Sequence, residues 1–360
     1  MTKLKKSFLK NALSIFIITA FVVFSTLIAV RAETAFSPKP LFEVAIGENS
    51  PEKLGKNINE EDIKNYDRFY FPASFGAFES EGLIMVLDSY KERICKYDLS
   101  GKFAGAIKLP FKKHAIDFAW FPGTKTAFFV FQESVEIGLL KGDISKNDKF
   151  DSFKLFNTPA LAGGLVPADF SIQRIWPASS LNTVENTFII NTNSHSIKNM
   201  AFGFKADEMK KLAELPGEFS TPAAFQGKSA AVDVDVRDSE AVMISQELTS
   251  DESDWVILLN ELAPKIGKGV KNIRVVGTDV KNNVYIEALY GNAEDAITAA
   301  FVYKFTKNGR FSGRVQVPKS PEMLSNRFVY IDAGGSVFYM KKSGDMKKIQ
   351  FFRFEITEMN

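Results

Sequence analysis

The chain reads YDLSGKFAG at Tyr97–Gly105 and, 208 residues later, FTKNGRFSG at Phe305–Gly313. Both stretches follow the same order: an aromatic residue, two variable residues, Ser or Asn, Gly, Lys or Arg, Phe, a small residue and Gly. Ser-Gly and Asn-Gly between extended runs are typical of hairpin turns, because glycine adopts the positive φ of a tight turn. An offset of 208 residues corresponds to four units of 52, so the pattern predicts a repeat of about fifty residues.

Prolines mark the ends of these units. Proline lacks the N–H that a strand needs for pairing and therefore ends strands. Six prolines follow extended or apolar stretches, each about one unit after the last: Pro51, Pro110, Pro159, Pro216, Pro264 and Pro318. In the clearest unit, turn chemistry separates four predicted strands, at 75–78, 83–87, 93–97 and 102–109. Four short antiparallel strands per unit predict one blade of a β-propeller.

The two ends of the chain are predicted to share the last blade. The sixth unit contains three predicted strands, at 328–331, 337–340 and 349–354, and the missing outer strand is available at Leu41–Ile46. Pairing both ends in one sheet removes the exposed edges of an open array. The fold expected is all-β, a six-bladed propeller closed by both termini. The middle units are less regular, so five or seven blades remain alternatives.

One unit resembles a known family. Gly82–Asp98, GLIMVLDSYKERICKYD, resembles an NHL-type propeller repeat, in which an apolar strand ends in Asp and a short polar loop leads to Arg and a second alternating strand. The resemblance implies the fold and does not imply an activity.

The N-terminus has the features of an export signal. Four lysines, at 3, 5, 6 and 10, precede an uncharged apolar run, Leu13–Val30, and small residues flank Arg31 as at a signal-peptidase site. We expect residues 1–32 to be a signal peptide, with a mature domain of residues 33–360 beginning at Glu33. An uncleaved membrane anchor is the alternative, because an apolar run of this length also suffices to span a bilayer. Either way the domain is expected in the periplasm or outside the cell.

The charge of the mature chain disfavours some partners. Residues 33–360 carry 40 basic and 43 acidic side chains, and this near-neutral mixture gives no electrostatic reason to expect nucleic acid or an anionic membrane surface. Any membrane contact is expected only through the N-terminal segment. Cys95 is the only cysteine; it lies in an alternating strand, where a buried inert thiol is expected.

The candidate ligand-binding residues lie on one face of the predicted propeller. The connections between strands two and three of each blade, and those between blades, emerge together on this face, which we call the loop face. His114, Asp169, Arg274 and Arg327 precede predicted innermost strands and thus lie near its central channel. Arg274 and Arg327 come from adjacent units, so two unpaired guanidiniums are expected to hold an anion between them. Strand capping or pairing with a neighbouring acid is the alternative for each residue.

Asp88 and Arg93 are two further candidates, at the ends of the loop that carries the family resemblance. They are either ligand groups or an internal pair that holds its own hairpin. Asp279 and Asp332 each precede an Asn-rich or Gly-rich hairpin and are interpreted as turn residues.

Two classes of function remain. The first is a non-enzymatic binding or scaffold module for a protein, peptide or glycan, without a metal or cofactor. The alternative is a hydrolase or lyase of the calcium-dependent lactonase type, with one calcium ion held by oxygen ligands on the propeller axis. Three or more oxygen ligands converging on that axis would favour the enzyme.

Overall fold

The computed structural model describes residues 38–56, 71–157 except 133, 135, 147 and 148, 270–318 except 282 and 292–296, and 328–357. Between 172 and 258 it describes the backbone of the strands. No helix in these parts of the chain is both long enough and apolar enough to cross a membrane.

The described residues form six four-stranded antiparallel sheets, numbered here in the order of their first strands. Sheets 1 to 3 are β2 (Ser74–Phe78), β3 (Leu83–Asp88), β4 (Arg93–Asp98) and β5 (Phe103–Lys108); β6 (Ala115–Phe121), β7 (Thr126–Phe131), β8 (Glu136–Lys141) and β9 (Ser152–Asn157); and β10 (Ile172–Pro177), β11 (Asn186–Thr192), β12 (Met200–Lys205) and β13 (Glu208–Glu214). Sheets 4 and 5 are β14 (Thr221–Phe225), β15 (Lys228–Arg237), β16 (Glu240–Glu247) and β17 (Ser253–Leu258); and β18 (Val270–Thr278), β19 (Val284–Gly291), β20 (Ile297–Phe305) and β21 (Phe311–Val317). Sheet 6 is β22 (Val329–Ile331), β23 (Val337–Lys342), β24 (Lys348–Phe354) and β1 (Phe42–Ala45).

The core lies between neighbouring sheets, because the strands are buried on both faces. All six residues of β3 are buried, and they alternate between two apolar clusters. Met85 and Leu87 pack against sheet 2, in a cluster that includes Phe129. Ile84 and Val86 pack against sheet 6, in a cluster that includes Phe351. Since successive side chains of a strand point to opposite faces, sheet 1 is sandwiched between sheets 2 and 6.

The first strands of the sheets lie together. Strand β2 of sheet 1 contacts β6 of sheet 2 and β22 of sheet 6, and β6 also contacts β10 of sheet 3. Strand β18 of sheet 5 contacts β14 of sheet 4 and β22 of sheet 6. Consecutive four-stranded sheets that meet through their first strands have the organisation of a β-propeller.

The pairing expected between the two ends of the chain is confirmed. Strand β1 is antiparallel to β24, with Phe42 opposite Phe351 and Val44 opposite Ile349. The two turn glycines of the repeated pattern are also confirmed, since φ is +86° at Gly101 and +76° at Gly309. A Cβ at Gly101 would lie 2.5 Å from the Cβ of Phe42, so this glycine also makes room for β1.

Candidate functional site

A cavity of about 410 Å³ opens where the first and second strands of four sheets are joined. Sheets 1, 2, 5 and 6 each contribute a turn to it. The described residues lining it are Ala77, Phe78, Glu79, Ser80, Trp120, Phe121, Pro122, Gly123, Thr278, Val280, Tyr330, Ile331, Asp332, Ala333 and Gly334. In an antiparallel sheet these turns lie at the end opposite the connection between strands two and three. The cavity is therefore at the end opposite the loop face, where the sequence placed the ligand.

Local hydrogen bonds hold the turns around the cavity. Asp332 Oδ1 accepts a hydrogen bond of 2.7 Å from the Ser336 N–H. Asp279 Oδ1 accepts bonds of 2.9 Å from two backbone N–H groups, and its Oδ2 accepts from the Tyr285 hydroxyl at 2.9 Å. Both aspartates are buried turn residues, as the sequence predicted. Asp332 also lines the cavity, a role that the sequence did not indicate.

Aromatic side chains form one wall of the cavity. The ring of Trp120 stands edge-on to Phe78, at a centroid distance of 4.8 Å, and Tyr330 packs against Phe78 at 5.7 Å. Trp120 is buried, and its Nε1–H has no hydrogen-bond acceptor among the described residues. Val280 is 47% exposed at the tip of its turn and extends the apolar surface at the rim. A largely apolar lining with a few polar groups is typical of ligand pockets.

Two carboxyl groups provide the acidic part of the cavity. Glu79 and Asp332 both line the cavity, from the first-to-second turns of sheets 1 and 6. Burial raises the pKa of Glu79, and the neighbouring Asp332 raises it further. Arg353 opposes this shift: its Nε lies 2.7 Å from Glu79 Oε1, while its Nη2 lies 2.8 Å from Glu355 Oε1. The cavity therefore holds two carboxyl groups, and the carboxylate of Glu79 is paired with Arg353.

Asp88 and Arg93 form the internal pair that the sequence offered as an alternative to ligand binding. Arg93 Nε lies 3.2 Å from Asp88 Oδ2, and the Asp88 carboxylate is completely buried. The same loop holds the segment that follows β1, because Arg93 Nη2 donates to the Lys53 carbonyl at 2.6 Å and Asp88 Oδ1 accepts from the Gly55 N–H at 3.2 Å. Their polar groups are thus occupied by the protein itself.

The expectation that Arg274 is unpaired is wrong. Strand β18 begins at Val270, so Arg274 lies within the strand and not ahead of it. Its cross-strand neighbour is Glu287, and Arg274 Nε lies 2.7 Å from Glu287 Oε2. Its guanidinium also covers the Phe328 ring at 4.1 Å. The positive charge of Arg274 is therefore already paired with a carboxylate of the protein.

The other candidates are placed only in part. Arg327 and Asp169 lie outside the described residues, so convergence of Arg327 with Arg274 stays a prediction. His114 is exposed just before β6, on the loop face, and its carbonyl accepts a hydrogen bond from the Gln132 N–H at 3.0 Å. The structure brings none of the described candidates into the cavity.

The described residues hold no group of three or more His, Cys, Asp or Glu side chains arranged for a metal ion. Burial raises the pKa of the Cys95 thiol to about 12, which agrees with the inert thiol expected from the sequence.

Sequence reasoning missed Glu79, Trp120 and Asp332 as site residues. Glu79 begins the turn Glu79-Ser80-Glu81-Gly82 and Asp332 precedes Ala333-Gly334-Gly335, and both segments were interpreted only as turns. An acid at the first-to-second turn of two units was the available signal. This signal does not indicate that the two turns lie at the same cavity.

No protein-family model and no curated protein matches this chain. Similar solved structures include a member of the DUF4221 family from Bacteroides vulgatus, with a TM-score of 0.47 and 13% identity, covering 81% of this chain and 94% of that one. A luciferin-regenerating enzyme has a TM-score of 0.46 and 11% identity, covering 80% and 93%. The Cps50 (Swd1) β-propeller domain of Myceliophteria thermophila has a TM-score of 0.42 and 10% identity, covering 78% and 83%.

Proposed function

We propose that this protein is an exported six-bladed β-propeller of the NHL-like kind, and that it is a binding module for a protein, peptide or glycan. The six four-stranded sheets of the described residues support the blade count, as does the closure of sheet 6 by β1. The Asp88-to-Arg93 loop supports the NHL-like assignment. The lysines and the apolar run of the N-terminal segment support export, and N-terminal sequencing of the mature protein, expected to begin at Glu33, tests it.

The cavity among the turns of sheets 1, 2, 5 and 6 carries the proposal of binding. Its volume of about 410 Å³ lies within the range of about 300–1,000 Å³ that is usual for ligand sites. Aromatic rings offer contact area, while Glu79 and Asp332 offer oriented hydrogen-bonding groups. Rigid turns carry both sets of groups, so little order has to be gained on binding.

A pair of glycine substitutions tests whether the cavity is the binding site. Gly123 lines the cavity, and a Cβ at this position would meet no heavy atom within 4 Å. Gly344 is equally open, but it lies in the turn between strands two and three of sheet 6, on the loop face. Gly123→Trp should therefore obstruct the cavity without disturbing the fold, while Gly344→Trp places the same ring at the other end.

Peptide and glycan arrays probed with the mature protein and both variants provide the measurement. We expect ligands that bind the wild type and Gly344→Trp but bind Gly123→Trp at least tenfold more weakly, with similar melting temperatures for all three. Loss of binding in Gly344→Trp alone would indicate that the binding site lies on the loop face. Binding that neither substitution alters would refute the cavity as the site.

A further inference from the structure

The side chains around the cavity include hydrogen-bond acceptors and no cation. The described residues that line it include the acids Glu79 and Asp332 but no Lys, Arg or His. Arg353 Nε lies 2.7 Å from Glu79 Oε1, and the Ser336 N–H donates to Asp332 Oδ1 at 2.7 Å. An ionised carboxylate has about four acceptor sites, and each of these contacts occupies one of them. Both acids can therefore accept further hydrogen bonds from a ligand.

An aromatic and apolar surface accompanies these acceptors. Phe121 and Tyr330 are half-buried and line the cavity from sheets 2 and 6. The ring of Phe121 stands edge-on to the buried ring of Phe128, at a centroid distance of 5.6 Å, and this contact limits its movement. Val280 adds an exposed aliphatic side chain at the rim. The cavity thus offers a ligand both ring surface and acceptors on rigid turns.

We propose that the cavity binds a neutral sugar residue of a glycan. This inference rests on the proposed function and names the chemistry of its ligand. A pyranose ring has hydroxyl groups at its edge and C–H groups on its faces. The hydroxyl groups can donate to Glu79 and Asp332. A C–H face can pack on Phe121 or Tyr330, because the face of an aromatic ring carries a negative partial charge.

The charges and acceptors of the cavity favour a neutral sugar over other ligands. An anionic ligand would bring its charge beside Glu79 and Asp332, with no cation among the described lining residues to compensate it. A proline-rich peptide would find the same aromatic surface, but proline has no N–H to donate to the two acids. An ordinary peptide offers one backbone N–H per residue, whereas a sugar offers several hydroxyl donors in the same space.

Isothermal titration calorimetry of the mature protein at pH 7 tests the proposal. The neutral probes are maltotriose, cellotriose, triacetylchitotriose and galactotriose. The acidic counterpart of each is the same sugar with its primary hydroxyl groups oxidised to carboxylates. We expect saturable binding of at least one neutral trisaccharide, with an affinity that changes less than twofold between low and high salt, because the ligand carries no charge to be screened. Its oxidised counterpart should bind at least tenfold more weakly.

Phe121→Leu tests the contribution of the aromatic ring. Leucine keeps an apolar side chain but has no aromatic face, so the neutral sugar should bind at least fivefold more weakly. Phe153→Leu is the control, because Phe153 is 56% exposed on β9, the outer strand of sheet 2, away from the cavity. This control should bind the sugar as the wild type does, and both variants should melt within a few degrees of it.

Glu79→Gln tests why acidic sugars are rejected. A glutamine keeps an oxygen for Arg353 but removes one carboxylate from the cavity. We expect the ratio of affinities between the neutral sugar and its oxidised counterpart to fall at least threefold. Glu136→Gln is the control, since Glu136 begins β8 at the opposite end of its sheet and pairs with Lys113. The ratio should be unchanged in this control.

Failure of all four neutral trisaccharides to bind would overturn the inference. Equal binding of a neutral sugar and its oxidised counterpart, unchanged binding by Phe121→Leu, or an unchanged ratio in Glu79→Gln would overturn it as well. If the arrays yield a peptide that Gly123→Trp excludes while no neutral trisaccharide binds, the proposed function stands and this inference fails. If Gly123→Trp excludes neither an array ligand nor a trisaccharide, the proposed function fails with it.

Discussion

At the scale of single residues, Gly101 has two tasks that the repeated pattern shows only in part. Its φ of +86° closes the turn between β4 and β5, where Asp98 Oδ1 accepts hydrogen bonds of 2.9 Å from two backbone N–H groups. Phe42 of the closing strand packs directly on this glycine. The ring of Phe42 in turn stacks on Phe351 at a centroid distance of 4.7 Å. The turn and the closure of sheet 6 therefore depend on the same missing side chain.

We expect Gly101→Ala to lower the free energy of unfolding by more than about 3 kcal/mol, because it adds a steric clash with Phe42 to the cost of a positive φ. Gly82→Ala is the control. Its φ is +65° and a Cβ there meets nothing within 4 Å, so it should cost only about 1 kcal/mol. Urea denaturation measures both. Combining Gly101→Ala with Phe42→Gly should give a loss smaller than the sum of the two single losses, because Phe42→Gly removes both the Cβ and the ring atoms that clash, and strict additivity would contradict the clash.

At the scale of elements, the β3–β4 connection anchors the segment that follows β1. Besides the contacts of Asp88 and Arg93, Lys91 Nζ donates to the carbonyl groups of Gly47 and Lys53, at 2.6 and 2.9 Å. Burial raises the pKa of Asp88, and Arg93 and Lys91 oppose this shift. The loop that resembles an NHL repeat therefore has a structural role: it bonds sheet 1 to the segment that follows β1 of sheet 6.

Arg93→Ala should cost about 3 kcal/mol or more at pH 7, because it leaves the Asp88 carboxylate buried without its main counterion. The loss should depend on pH. The folded-state pKa of Asp88 is already above that of the unfolded chain, and losing Arg93 raises it further. The contribution of Asp88 to stability is thus greatest below the unfolded pKa of about 3.9 and is lost as pH rises through the folded pKa, and this loss is larger in the variant than in the wild type.

Urea unfolding between pH 4 and 8 measures this difference. Adding Asp88→Asn to Arg93→Ala should abolish the extra pH dependence, since no carboxylate remains to be ionised. Lys113→Ala is the comparison for an exposed ion pair and should cost less than about 1 kcal/mol. An Arg93→Ala profile parallel to that of the wild type would show that Asp88 does not need Arg93.

At the scale of the whole molecule, β1 joins the two ends of the chain. Phe42, Val44 and Ile46 are buried in the cluster that contains Ile349 and Phe351. Outside the core, Lys348 Nζ lies 2.6 Å from Glu43 Oε2, and Gln350 Nε2 donates to Glu43 Oε1 at 2.6 Å. Without β1, sheet 6 would lose its outer strand and expose the edge of β24.

Deleting residues 33–50 from the mature chain should abolish sharp, cooperative thermal unfolding. Three buried side chains at roughly 1.5–3 kcal/mol each amount to a large fraction of the roughly 5–15 kcal/mol that stabilises a typical domain. Scanning calorimetry measures the transition, and the chain beginning at residue 33 is the control. A truncated protein that melts as sharply and at the same temperature would show that β1 does not close the fold.

The sequence by itself indicated the strands and turns of the clearest units and the pairing of the two ends. The continuous apolar run of β3, the glycine turns at Gly101 and Gly309, and the strand missing from the last unit each follow from local sequence preference and from the need to pair every edge. Such preferences act over a few residues or apply to every unit alike. They can therefore be recognised without knowing which sheets are neighbours.

Only the tertiary structure decided where the polar side chains meet. Glu79 and Asp332 belong to different sheets and line one cavity because the first strands of sheets 1 and 6 are in contact. Arg274 was expected ahead of the innermost strand at a channel mouth, but it lies within β18, where its cross-strand neighbour Glu287 pairs with it. The physical reason is that the energy of a side-chain pair changes steeply with distance and burial, whereas the patterns that specify a strand tolerate shifts of several residues.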